Sequence, residues 1–322
     1  MSGRWTRGWS MARASYAVLR RYPKLVVFPV ISGAILLMIV GAIVASLLPH
    51  AGSLHALTHG IWDKLGTHGS GDVWFYLYMA PVVYVLTAVM MFCNVALIHC
   101  ALQCHAGQAP SIRTGLAAAT VRLPQILGWA LVSLTVGIVL EVIENTLKDN
   151  IGIFGSWIGG LFDVGWLAIT YFVLPVLAAE GTSPIAAIRR SSAIVKERWG
   201  ESLAGEVRFG LLGILFFLQA LAMFFVGLAI TLSHGPSGLA GLGPLLMVLG
   251  VLYGLGTIVV VQALSTIFQA GVYIYASTGV VPASFDRDLI EGTFRRKGSW
   301  SDSEVRKHLP HVQIRTSESK DH

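Results

Sequence analysis

The chain has 322 residues, 54% of them hydrophobic and only 12% charged, with a formal net charge of +6. Soluble domains carry about 25% charged residues, so half the usual charge is missing and an ordinary soluble globule is excluded. No charge falls between Leu25 and Pro49, between Val73 and His105, or between Phe209 and Pro282. About 20 apolar residues cross a ~30 Å hydrocarbon core, which makes these runs membrane helices and the chain a polytopic membrane protein.

The chain opens on a basic amphipathic helix. Trp5, Trp9, Ala12, Tyr16 and Leu19 share one face, Arg7, Arg13, Arg21 and Lys24 lie away from it, and Pro23 breaks it. The first span follows near 25–48. Its apolar stretch exceeds the roughly 7–15 residues of a signal-peptide core and no A-x-A site follows, so it is expected to stay as an anchor. The loop after it holds His50, His55, His59 and His68. A helical middle would place His55, His59 and Asp63 on one face as a weak zinc ligand set, or as imidazoles that sense pH. Five glycines within 50–72 favour a solvated loop instead, and neither metal nor cofactor is expected.

Span two, near 74–102, carries Asn94 and the three cysteines Cys93, Cys100 and Cys104, with His105 adjacent. Thiolates beside a histidine are soft ligands for copper or zinc. The odd count and the lack of a C-x-x-C favour cysteines that pack as small hydrophobes. A second surface helix, with Ile112, Leu116, Ala119 and Leu123 on one face, breaks at Pro124 and leads into spans near 126–143 and 157–179. Glu141 and Glu144 end the third span. They read as a solvated helix end rather than an acid–base pair, with Glu144 spaced to pair with Lys148. Asp163 is expected to be shallowly buried and paired. Gly155/Gly159, Ser156/Gly160 and Gly250/Gly254 suit close helix approach, inside the bundle or between copies.

The third basic segment, "SPIAAIRRSSAIVKERWG" at 183–200, sets Ile185, Ile188, Ser192, Val195 and Trp199 on one flank and is expected to end at Gly200. Spans five and six follow near 209–232 and 244–276, with a bend expected at Gly254 and Gly256. In the sixth, Gln262, Ser265, Thr266, Gln269 and Tyr273 fall on one helical face that Asn94 and Gln219 could meet. Such a face lines a solute path or serves as interhelical hydrogen-bond glue, and with no charged member glue is favoured. The tail, 295–322, is polar and reads as mobile, with Arg295–Lys297 able to touch anionic headgroups.

This placement puts every Lys and Arg except Lys64 and Lys148 on the side of both termini. The positive-inside rule makes that side cytoplasmic. The charge is therefore a topology signal and an attraction to anionic lipid, not a sign of nucleic acid. "VLRRYPKL" (18–25), "VRLPQI" (121–126) and "VKERWGESL" (195–203) share a Val, a basic residue, a breaker and an aliphatic residue. They mark three repeats, near 1–106, 107–181 and 182–285, each a surface helix plus a two-span hairpin. The expected fold is all-α, a single six-span domain over 1–294 with three amphipathic surface helices.

Four segments, "FCNVALIHCAL" (92–102), "LPQILGWALVSLTVG" (123–137), "YFVLPVLAAEGTSPIAAIRRSSAIVKERWGESLAGEVRFG" (171–210) and "IFQAGVYIYASTGVVPASF" (267–285), are similar to a family of bacterial and archaeal membrane proteins. The chain resembles domain-of-unknown-function family 6159 over nearly its whole length, to about Phe294. The resemblance implies six spans and brings no activity or catalytic residue. The chain holds no G-x-S-x-G, H-E-x-x-H, Walker or G-x-G-x-x-G motif. The leading expectation is a non-catalytic protein that organises a membrane process, with Arg20, Arg21, Arg189, Arg190, Lys196 and Arg198 on anionic headgroups. A second copy or another membrane protein is left open as partner. The alternative is a channel or transporter for a neutral or amphiphilic solute along the polar face of span six. A membrane enzyme built on the outer histidines and carboxylates ranks third.

Overall fold

The computed structural model describes residues 15–51, 73–232 and 241–278, which are helical apart from short connections and contain no strand. A short helix α1 (15–21) precedes a 3₁₀ turn at Pro23–Val26. Then come α2 (Val27–Ala51), α3 (Val73–His105), α4 (Ile112–Val121), α5 (Leu123–Ile151), α6 (Ile153–Thr170), α7 (Val173–Glu180), α8 (Pro184–Leu232) and α9 (Leu242–Thr278). Six stretches are long and apolar enough to cross a membrane: Pro23–Ile43, Met79–His105, Leu123–Ile151, Phe154–Glu180, Gly213–Leu232 and Leu242–Thr278. The protein is thus an all-α, multi-pass membrane protein. Large apolar side chains such as Leu37, Met38, Leu131, Trp157 and Leu161 are exposed on the protein, as lipid-facing positions require.

The breaks between helices follow backbone chemistry. Pro23 opens the 3₁₀ turn, and Pro124 occupies the first turn of α5, where its missing N–H has no helical partner to lose. Ser183 caps α8 by accepting from the Ala186 N–H at 3.4 Å, with Pro184 next in line. Gly152 turns α5 into α6 with φ at +57°, a left-handed conformation that suits glycine. The span-four helix breaks at Tyr171 and Phe172 because Pro175 has no N–H to return to the Tyr171 carbonyl.

One expected break is missing. α8 runs unbroken from Pro184 to Leu232, straight through Gly200. A lone helical glycine costs only ~1 kcal/mol and no proline follows it, so continuing the hydrogen-bond ladder is the cheaper course. α9 is also one continuous helix, from Leu242 to Thr278.

The described residues fall in two compact units, within Met1–Pro29, Cys100–Ile112 and Arg198–His322, and within Val30–His99 and Arg113–Glu197. This division cuts across the three expected repeats. In the first unit the buried side chains include Leu25, Phe28, Cys100, Cys104 and His105, together with nearly the whole of α9 from Ala263 on. In the second they include Val95 to Ile98, Ile126, Trp129, Phe172 and Leu177, and Ala187, Ser191 and Ile194 of α8.

Glycine spacing sets the closest helix approaches. An added Cβ at Gly155 would run into the Leu147 carbonyl, and one at Gly159 would lie 2.7 Å from Glu144 Cγ, so α5 and α6 pack face to face there. A Cβ at Gly250 would sit 2.9 Å from the Phe224 nitrogen and 3.0 Å from the Ala220 carbonyl oxygen, and one at Gly254 3.3 Å from Ala220 Cβ. Both glycine pairs therefore serve packing within one chain. Gly160 faces open space.

Candidate functional site

The basic residues divide by what surrounds them. Arg20, Arg21, Lys24, Arg113, Arg189 and Lys196 are exposed. Arg21 lies over the Tyr22 ring at 5.7 Å. Arg190 is half-buried and forms an ion pair with Glu180 through Nε at 3.2 Å. Arg190 is thus tied to the fold, while Arg189 and Lys196 stand out from the same helix. The Arg198 side chain, the N-terminal Trp5 and Trp9, the loop residues His55, His59 and Asp63, and the tail from Arg295 lie outside the described residues.

The start of α8 packs one face inside the protein. Ala187, Ser191, Ile194 and Val195 are buried, whereas Ile185 is 61% exposed. Ser191 anchors that face. Its hydroxyl accepts from the Phe172 N–H at 3.0 Å and donates to the Ile169 carbonyl at 2.6 Å. One side chain of α8 thus bridges backbone groups on both sides of the break in span four. Beside this bridge, Gly181 closes α7 with φ at +63° and its N–H on the Leu177 carbonyl at 3.2 Å. The Arg122 guanidinium occupies the space a Cβ on Gly181 would need, and Gln125 Nε2 donates to the Gly181 carbonyl at 3.5 Å. The start of span three and the turn before α8 are therefore held as one polar joint. Pro175 signals the break in sequence; nothing local signals Ser191 as its partner.

The polar face of span six is mostly inside the protein. Tyr273 and Thr266 are buried, Ser265 and Gln269 half-buried, and Gln262 exposed. The Thr266 hydroxyl donates to the Gln262 carbonyl one turn back, at 2.8 Å. Gln219 accepts from the Tyr253 hydroxyl at 3.2 Å, so it joins span five to span six more than two turns before that face. Asn94 is half-buried and belongs to the other unit.

All three cysteines are buried free thiols. Cys100 donates to the Ser111 carbonyl at 3.4 Å. His105 places Nε2 3.1 Å from the Ile267 carbonyl; a carbonyl only accepts, so that nitrogen carries the proton. Among the described residues no three His, Cys, Asp or Glu side chains come together as metal ligands. Two carboxylates depart from expectation. Glu144 forms no ion pair with Lys148; its stem packs on Gly159 instead, because the hairpin partner is nearer than the next turn. Asp163 is exposed rather than buried, since it falls on the outer flank of α6 with Phe162 and Val164.

Residues 72–283 match the model of a family of unknown function, DUF6159, and the chain belongs to that family. The match is shorter than the similarity expected to Phe294. No curated protein and no solved structure matches the chain.

Proposed function

We propose that this member of a family of unknown function is a non-catalytic integral membrane protein that organises its surroundings by holding anionic lipid at its basic ends. The observation that carries the reading is the exposure of Arg20, Lys24, Arg113, Arg189 and Lys196 on helices outside or at the edge of the spans. Cations at that level each gain about 1 kcal/mol beside an anionic leaflet. The positive-inside rule then places these ends, and both termini, in the cytoplasm of a bacterial inner membrane. The amphipathic segments at 15–21 and Ile112–Val121 would lie in the plane of that interface, while the start of α8, continuous with span five, would carry Arg189 and Lys196 at the same surface as an extension of that span.

The test is lipid preference in the full chain. Protein in bilayers of mixed composition is measured for its association with spin-labelled anionic against zwitterionic phospholipid. Arg189→Gln with Lys196→Gln should weaken the anionic preference by up to about thirtyfold, two charges at about 1 kcal/mol each. An unchanged preference sinks the reading. The transport alternative draws less support, because Thr266 and Tyr273 are buried in protein, which is where hydrogen-bond glue belongs.

A further inference from the structure

A groove of about 540 Å³ opens on the flank of the second unit between α3 and α5. α3 contributes Met79, Ala80, Val83 and Thr87, and α5 contributes Ser133, Leu134, Gly137, Ile138 and Glu141. Both sets recur at helical spacing, so each helix offers one face. Toward the basic end the two helices are tied by the Tyr84 hydroxyl, which donates to the Leu127 carbonyl at 3.3 Å. At Gly137 an added Cβ would meet nothing within 4 Å, so the floor of the groove is open where a side chain would otherwise fill it.

Position along α5 sets the depth. At 1.5 Å per residue, Ser133 lies about 15 Å and Glu141 about 27 Å beyond Leu123. In a ~30 Å hydrocarbon core the groove runs from the middle of the bilayer to the surface opposite Arg122. Its walls are apolar, its deep end offers the hydroxyls of Thr87 and Ser133, and Glu141 is its one charged lining residue. The volume and the few convergent polar groups are those of a small-molecule site.

We propose that this groove binds an amphiphile with a cationic, ammonium-type head, its hydrocarbon body along Val83, Leu134 and Ile138 and its head against the Glu141 carboxylate. The carboxylate selects the head, because it sits where a lipid-borne molecule leaves the hydrocarbon and enters the headgroup layer. The apolar walls select the body, and Gly137 makes room for it. The site lies far from Arg189 and Lys196 along the chain and does not depend on the anionic-lipid reading.

The experiment uses the full chain in zwitterionic nanodiscs with a fluorescent dodecylammonium probe. The probe is displaced by unlabelled dodecyltrimethylammonium, dodecanol or dodecyl sulfate. The expected order is cation first, about tenfold tighter than the alcohol, with the sulfate weakest. Glu141→Gln should shrink the cation's advantage to about twofold or less, and Glu141→Lys should reverse the order in favour of the sulfate. Gly137→Leu, which fills the floor, should weaken all three by about tenfold or more. Equal displacement by the three heads in the natural chain would mean a crevice filled by any bilayer hydrocarbon, and would overturn the proposal. So would an order that the Glu141 substitutions leave intact, a result readable even if Gly137→Leu fails to fold.

Discussion

Replacing Ser191 by alanine isolates the joint in span four. The hydroxyl is fully buried and serves two backbone groups, the Phe172 N–H and the Ile169 carbonyl. Both lie at the break that Pro175 imposes, so neither regains a regular helical partner when the hydroxyl goes. Side-chain hydrogen bonds between membrane helices average about 0.6 kcal/mol and reach about 1.7, while a buried backbone group left unsatisfied costs about 1–3 kcal/mol. Two such bonds together give about 2 kcal/mol for Ser191→Ala. Domains of 150–250 residues lose about 2–4 °C in Tm per kcal/mol, so a drop of roughly 4 °C is expected in detergent-solubilised protein. The neighbouring serine is the control. Ser192 donates to the Arg189 carbonyl of its own helix at 2.9 Å, a carbonyl that the helix ladder already serves, so Ser192→Ala should stay within about 0.5 kcal/mol. Thermal unfolding of the two variants side by side decides the matter. If Ser191→Ala loses no more than Ser192→Ala, the bridge across the break carries no weight and the reasoning from backbone satisfaction fails.

Three further outcomes follow from close contacts. Gly250→Ala drives a methyl into the backbone of span five and should lower stability by about 1–3 kcal/mol, Gly159→Ala should cost less because the Glu144 stem can move, and Gly160→Ala should be neutral; ranking their unfolding midpoints checks the series. Gly181→Ala combines a left-handed residue, worth about 1–2 kcal/mol, with eviction of the Arg122 guanidinium, and should destabilise more than either effect alone in the same assay. With Cys93, Cys100 and Cys104 replaced by alanine, single cysteines at Gln262, Ser265 and Gln269 should resist a membrane-impermeant thiol reagent from both sides, as a lipid-facing cysteine at Ile258 does. Labelling at those three but not at Ile258 would mean a water-filled path and would promote the transport reading.

The spans could be read from the sequence because hydrocarbon thickness fixes length and excludes charge, and both are local properties. Proline punctuation was equally readable at Pro23 and Pro124, where one residue decides the local backbone. Gly200 misled because a lone glycine, costing only ~1 kcal/mol, breaks a helix only when something else rewards the break, and no proline follows it here. The inward face of α8 was not legible at all, because the fold buries Ser191 there to mend a defect about twenty residues away, and nothing in the local pattern of α8 records that defect. Glu144 failed in the same manner, its surroundings being set by a hairpin partner rather than by helical neighbours.

That pattern bears on where function can reside. Among the described residues, polar groups within the hydrocarbon depth are largely committed to the chain itself. Thr266, Thr231, Ser277 and Thr278 each bond a carbonyl of their own helix, Tyr253 holds Gln219, His105 holds Ile267, and Ser191 mends span four. A group that already satisfies a backbone carbonyl in low dielectric gives up that bond to take a ligand, at about 1–3 kcal/mol for the group left behind. Recognition is therefore cheapest where charged side chains reach water or headgroups at the two ends of the spans. An anionic lipid at one surface and a cationic amphiphile at the other are the two ligand charges this arrangement favours. Each has its own decisive substitution, Lys196→Gln for the first and Glu141→Lys for the second, and neither substitution should alter the binding governed by the other.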